Sequence, residues 1–121
     1  MSTPLLNSPR ARAVLLWQQA VALSYRYPEL GSRLRPAWWE RAGERELVQA
    51  LCDWRDALDL TVPTAGGELE RARREFDFHI HLSRACGLLT SQPGRGVFDA
   101  ETELAAYYAY ADSLPDTRAA S

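Results

Sequence analysis

The 121-residue chain contains no lysine: all 14 basic residues are arginine, set against 16 acids for a formal charge of −2. It has only two cysteines, two histidines and one methionine. Two cysteines exclude the disulfide framework that staples small secreted domains. The small negative charge counts against a dedicated nucleic-acid binder, which is usually strongly basic. No apolar run approaches the roughly 20 residues that span a bilayer. The start of the chain also lacks the basic, apolar and small-residue series of a signal peptide, so a cytoplasmic protein without membrane contact is expected. No segment alternates with a period of two, and no sheet is expected. The absence of lysine has two readings. One is codon usage in a GC-rich genome; the other is selection for bidentate contacts to phosphate or carboxylate.

What is present is ordinary globular material, 46% hydrophobic and 25% charged, in a length suited to one domain. Ser8-Pro9 reads as a helix opening, because serine caps free N–H groups and proline at the first position sacrifices no hydrogen bond. Ala13, Val14, Leu16, Trp17, Ala20, Val21, Leu23 and Tyr27 follow at helical spacing until Pro28, which predicts a helix over 9–27. Residues 29–35 form a connector with room for one helical turn. Pro36 reopens a helix over 36–60, with Gly43 as a point of bend or interruption. Leu47, Leu51, Trp54 and Leu58 line its inner face, and Glu44, Glu46, Asp53, Arg55 and Asp56 its solvent side. Pro63 and Gly66-Gly67 mark a linker.

The next helix is predicted over 67–90 with two apolar stripes. The main one is Leu69, Ala72, Phe76, Ile80, Ser83 and Gly87; the second is Phe78, Leu82, Cys86 and Leu89. Two stripes predict a central helix packed on more than one side, with Ser83 and Gly87 admitting a close neighbour. Residues 91–96 read as a loop. Asp99 caps a helix over 100–113, whose first turn holds Glu101 and Glu103. Leu104, Tyr107, Tyr108, Ala111 and Leu114 form its apolar side, and Pro115 ends it. The expectation is an all-α, compact four-helix domain of mainly antiparallel neighbours spanning the whole chain, with residues 1–7 and 116–121 disordered.

The chemistry-bearing residues form no recognised constellation. His79 and His81 are two apart, point to opposite sides of a helix and cannot chelate one metal. Cys52 and Cys86 read as small buried hydrophobes. Gly94-Arg95-Gly96 lacks the lysine and spacing of a phosphate-binding loop. No catalytic residue, cofactor, metal or small-molecule substrate is predicted, and the chain is not expected to be an enzyme.

Charge and aromatic placement say more. Residues 1–36 carry five arginines and one acid, and residues 97–121 one arginine and five acids. The two ends either attract one another within the fold or face partners. Arg71, Arg73 and Arg74 form the densest basic cluster. With Arg33 and Arg35 they would contact phosphates, which gives the alternative reading of a nucleic-acid accessory protein, though no helix-turn-helix or RNA motif accompanies them. There are four tryptophans and five tyrosines. Successive helix positions are about 100° apart, so Trp38 and Trp39 are not both expected to point inward, nor is Tyr108 together with Tyr107 and Tyr110. Exposed Trp and Tyr anchor interfaces. The first reading is therefore a non-catalytic interaction protein, an adaptor or modulator. It would dock a protein partner or a second copy of itself through Trp38, Trp39, Tyr107, Tyr108 and Tyr110.

Pro36, Trp38 and Trp39, followed by Leu47, Leu51 and Trp54, resemble a segment of uncharacterised small helical proteins of actinobacterial plasmids and phages. Glu75-Phe76-Asp77-Phe78-His79 is similar to the same group. The matching segment covers residues 36–58 and lacks the cysteine or histidine that often neighbours those tryptophans. The resemblance implies a GC-rich bacterial source and a mobile element, and it brings no catalytic residue. Tyr108 and Asp112 resemble the Tyr-x-x-x-Asp export signal of small helical proteins secreted by actinobacterial type VII systems, but the Trp-x-Gly turn of that family is absent.

Overall fold

Helix boundaries follow the capping chemistry. In the computed structural model, which describes residues 8–62, 64–90 and 96–114, Ser8 Oγ accepts from the Ala11 N–H at 3.0 Å and opens α1 (Pro9–Arg26). Pro28 ends α1 and begins a single turn, α2 (Pro28–Gly31). A 3-10 turn at Trp38–Glu40 precedes α3 (Ala42–Leu60), and α4 runs over Glu68–Thr90. Asp99 accepts from the Glu101 N–H at 3.2 Å and caps α5 (Ala100–Asp112). The four longer helices make an all-α domain, and no strand occurs among the described residues. The expected disorder of residues 1–7 and 116–121, the loop over 91–95 and the stop at Pro115 lie outside the described residues.

Side-chain pairs give the helix directions. Arg10 meets Asp112 at 2.8 Å and Tyr107 Oη donates to Ala13 O at 2.6 Å, so α1 and α5 are antiparallel. Trp54 packs on Phe78 and Arg71 donates to Thr61 O, so α3 and α4 are antiparallel. By contrast, Arg12 and Ala13 of α1 line the same groove as Arg45 and Glu46 of α3, while Gln19 meets Asp56 and Arg26 meets Asp59 toward the other end. Helices α1 and α3 therefore run parallel. A parallel pair needs a connection that travels back along its length, about 27 Å for an 18-residue helix. Residues 27–41 make that return.

The returning segment buries Leu30, Leu34, Trp38 and Trp39. Both indoles are enclosed, at 0% and 1% exposure, which corrects the expectation that one of them faces outward. Two facts of the backbone explain it. The tryptophans occupy a 3-10 turn rather than the continuous helix predicted over 36–60, and the break falls at Arg41 rather than Gly43. The turn is also a wedge with rings on several sides. Trp39 packs on Trp17 of α1 at 6.1 Å and Tyr107 of α5 at 5.1 Å, and Trp38 packs on Phe98 at 6.1 Å. Among the described residues the indole N–H groups find no hydrogen-bond acceptor. The two indoles pack edge-to-face at 84°, the offset geometry that aromatic rings prefer.

Polar contacts hold the wedge at its entrance. Ala37 has a left-handed φ of 55°, and its N–H donates to Glu103 Oε1 at 2.7 Å. That conformation costs an L-residue roughly 1–2 kcal/mol, less than the burial of two indoles returns. Arg45 donates to Trp39 O at 2.8 Å, and Phe98 N to Leu34 O at 2.8 Å.

Among the described residues, helix α4 is fastened to this body along one side. Phe78, Leu82, Ala85, Cys86 and Leu89 are buried. Arg55 and Glu44, expected on the solvent side of α3, are buried as well, because each has charged partners that a buried charge requires. Arg55 donates to both carboxylate oxygens of Glu75 at 3.0 and 2.5 Å, to Tyr27 Oη at 3.0 Å and to Asp59 at 3.1 Å. Its guanidinium lies over the Phe78 ring. Glu44 accepts from Arg35 at 3.0 Å and from Arg41 at 2.8 Å. The hydrogen bonds from Arg55 hold the Glu75 carboxyl below the usual carboxylate range, and those from Arg26 do the same for Asp59.

Trp38→Ala and Trp39→Ala are each expected to lower the unfolding free energy by about 3–5 kcal/mol; urea titration measures this, and a loss below about 1 kcal/mol would refute the enclosed wedge. Because the folded Glu75 carboxyl titrates below its unfolded value, its stabilisation is complete above about pH 4.3 and is lost as pH falls through the lower folded value. Glu75→Gln should therefore cost about 2 kcal/mol at neutral pH. It should also flatten the fall of the urea midpoint below about pH 5 relative to the parent chain.

Candidate functional site

The outer face of α4 is the largest departure from the expected packing. Leu69, Ala72, Phe76, Ser83 and Gly87 are exposed and Ile80 is half-buried, so the predicted main stripe faces away from the body. Leu69 is 72% and Phe76 65% accessible. A Cβ built on Gly87 would meet nothing within 4 Å. The cause lies in the order of helices: α5 packs on α1, while α4 packs on α3 and α2, which leaves α4 outermost. Among the described residues its second stripe is the one that is covered. Beside it Leu60 at the end of α3 and Val62 just after it are exposed, and Arg71 ties the end of α3 to α4 through Thr61 O at 2.7 Å. Burying a leucine or phenylalanine side chain is worth about 1.5–3 kcal/mol. The monomer forgoes most of that at Leu69 and Phe76. Clustered rather than scattered apolar exposure marks interaction sites on soluble proteins.

The aromatic residues expected at an interface do not assemble into one. Trp38, Trp39 and Tyr107 are core residues, and their burial removes them from the surface. Tyr110 is half-buried against Tyr107 at 5.4 Å, and Tyr108, 37% accessible, is the one of the five that faces solvent. Leu104, expected on the apolar side of α5, is exposed too. The Tyr107 hydroxyl is pushed well above its ordinary range, with burial as the main cause.

The arginines fall into two separate places. Arg71, Arg73 and Arg74 begin α4, where Arg74 pairs with Glu70 at 3.2 Å and Arg71 with Glu75 at 3.7 Å. Arg35 is bound to Glu44. Arg33 lies close enough to Cys86 to act on its thiol, and Cys86 is about 22 Å along α4 from Arg71. The five residues therefore do not share one patch, and Arg35, Arg71 and Arg74 already hold carboxylates of the fold.

His79 packs edge-on against Tyr27 at 5.5 Å and His81 lies 5.0 Å from Trp54. Cys52 and Cys86 are buried, and neither is joined in a disulfide. Burial pushes the Cys52 thiol up to about 12, aided by Asp56 and Asp53, and raises that of Cys86. Both shifts run opposite to the activation a nucleophilic thiolate needs. No group of three or more His, Cys, Asp or Glu side chains is gathered for a metal among the described residues. A groove of about 450 Å³ between α1, α3 and α5 is lined by Arg12, Arg45 and Glu46 together with Ala13, Leu16 and Tyr107. A second, of about 350 Å³, lies where Leu47 of α3 meets Leu88 and Leu89 of α4. No helix among the described residues is long and apolar enough to cross a membrane.

The outer face of α4 is thus where apolar exposure, small side chains and helix geometry coincide. Compared with protein-family models, curated proteins and solved structures, the chain matches none.

Proposed function

We propose that this protein is a non-catalytic interaction module whose docking surface is the outer face of α4. The observation that carries this reading is the stripe of exposed Leu69 and Phe76 and half-buried Ile80, continued by exposed Ser83 and Gly87, on the side of the helix opposite its buried residues. A helix needs only one apolar stripe to hold its place in a domain. A second stripe of equal length, kept in contact with water, forgoes several kcal/mol of burial in the isolated chain. The small residues at one end admit close approach of another backbone. The raised cysteine thiols and the split, carboxylate-paired arginines give less support to covalent catalysis or to phosphate binding.

A photoreactive side chain at position 76 is expected to form discrete protein adducts in the cells that natively express the chain. The same group at exposed Tyr25 should form none. Phe76→Glu should change stability by no more than about 0.5 kcal/mol, as for an exposed site, and should abolish the adduct formed from position 80. Absence of adducts from positions 69, 76 and 80 would refute the proposal.

A further inference from the structure

This inference rests on the reading of the α4 face as an interaction surface and names its occupant: we infer that the face pairs with the same face of a second copy, the two α4 helices running antiparallel. The stripe follows a heptad seam, with Leu69, Phe76 and Ser83 at one core position and Arg73, Ile80 and Gly87 at the other. In an antiparallel pair each core position faces the other kind. The register that sets Phe76 against Ile80 of the second copy also sets Leu69 against Gly87 and Arg73 against Ser83. Each match is complementary. The exposed leucine enters the space left open at Gly87, two apolar side chains meet at the centre, and a guanidinium meets a hydroxyl that can accept from it. In a parallel pair Arg73 would face Arg73 and Gly87 would face Gly87, placing like charges at the seam and leaving a void.

Charge on the flank favours the same arrangement. Glu70, Asp77 and Arg84 are exposed along one edge of the stripe. A twofold axis across the antiparallel pair brings the same edge of both copies together. Glu70 then lies beside Arg84 of the second copy, twice over. The two Asp77 side chains meet near the axis, with Arg73 of the seam one turn away on each helix, and Glu70 keeps Arg74 of its own helix as a partner. The seam from Leu69 to Gly87 is about 27 Å long. One helix pair of that length gives a contact at the small end of specific interfaces. Association is therefore expected at micromolar to near-millimolar concentration rather than as an obligate dimer.

Sedimentation equilibrium of the full chain over that concentration range tests the inference. A monomer–dimer equilibrium is expected. Gly87→Leu should weaken it at least about tenfold by filling the hole that receives Leu69. Helix stability should hold or improve, since glycine in a helix interior is about 1 kcal/mol worse than leucine. Glu70→Arg and Arg84→Glu should each weaken the dimer by up to about tenfold, and the double exchange should restore it. A strict monomer, or a dimer indifferent to both Gly87→Leu and the charge reversals, would overturn the pairing. A monomer that still gives adducts of another mass from position 76 would overturn it while leaving the interaction reading intact. A monomer without adducts would end both.

Discussion

Parallel packing of α1 on α3 is the constraint from which the rest of the fold follows. Two helices joined in sequence pack antiparallel when their connection is short. Here residues 27–41 must instead run back along the pair, and a segment lying in the body of a domain has to bring its own core. Leu30, Leu34, Trp38 and Trp39 supply it. The two indoles, with Trp17, Phe98 and Tyr107, form one network of ring contacts that joins α1, the return segment and α5. Glu103 of α5 secures the entrance by accepting the Ala37 N–H, so the left-handed residue and the wedge stand together.

A chain whose cations are all arginine puts many of those guanidiniums to work inside the fold. Arg55 joins α3 to α4 through Glu75 while reaching Tyr27 and Asp59, a set of contacts that a single ammonium could not span. Glu44 draws Arg35 and Arg41 together at the start of α3. The basic front of the chain meets its acids at Asp59, Glu44 and Asp112. Much of the charge segregation along the sequence is thereby spent on intramolecular pairing.

Helix α4 differs from the others in carrying two usable faces. Its buried face is modest, small side chains among a few large ones, and is reinforced by Arg55 and Glu75. Its outer face holds longer apolar side chains at the start and small ones at the end. That asymmetry along the helix is what makes the face able to meet an inverted copy of itself, since large groups at one end find space at the other.

Capping serines and aspartates, proline stops and helical periodicity act within one or two turns, and so the sequence alone determined the all-α class, the extent of α1, α4 and α5, and the two stripes on α4. Ser8, Pro28 and Asp99 behave as their local chemistry requires. The expectation of one helix over 36–60 failed because Ala37 and the tryptophans obey contacts with Glu103, Trp17 and Tyr107, residues distant in the chain. For the same reason the inward or outward position of Trp38, Trp39, Arg55 and Glu44 was not legible. Only the tertiary structure decided which stripe of α4 is covered. Periodicity records that a face is apolar, but what lies against it depends on where helices remote in sequence come to rest.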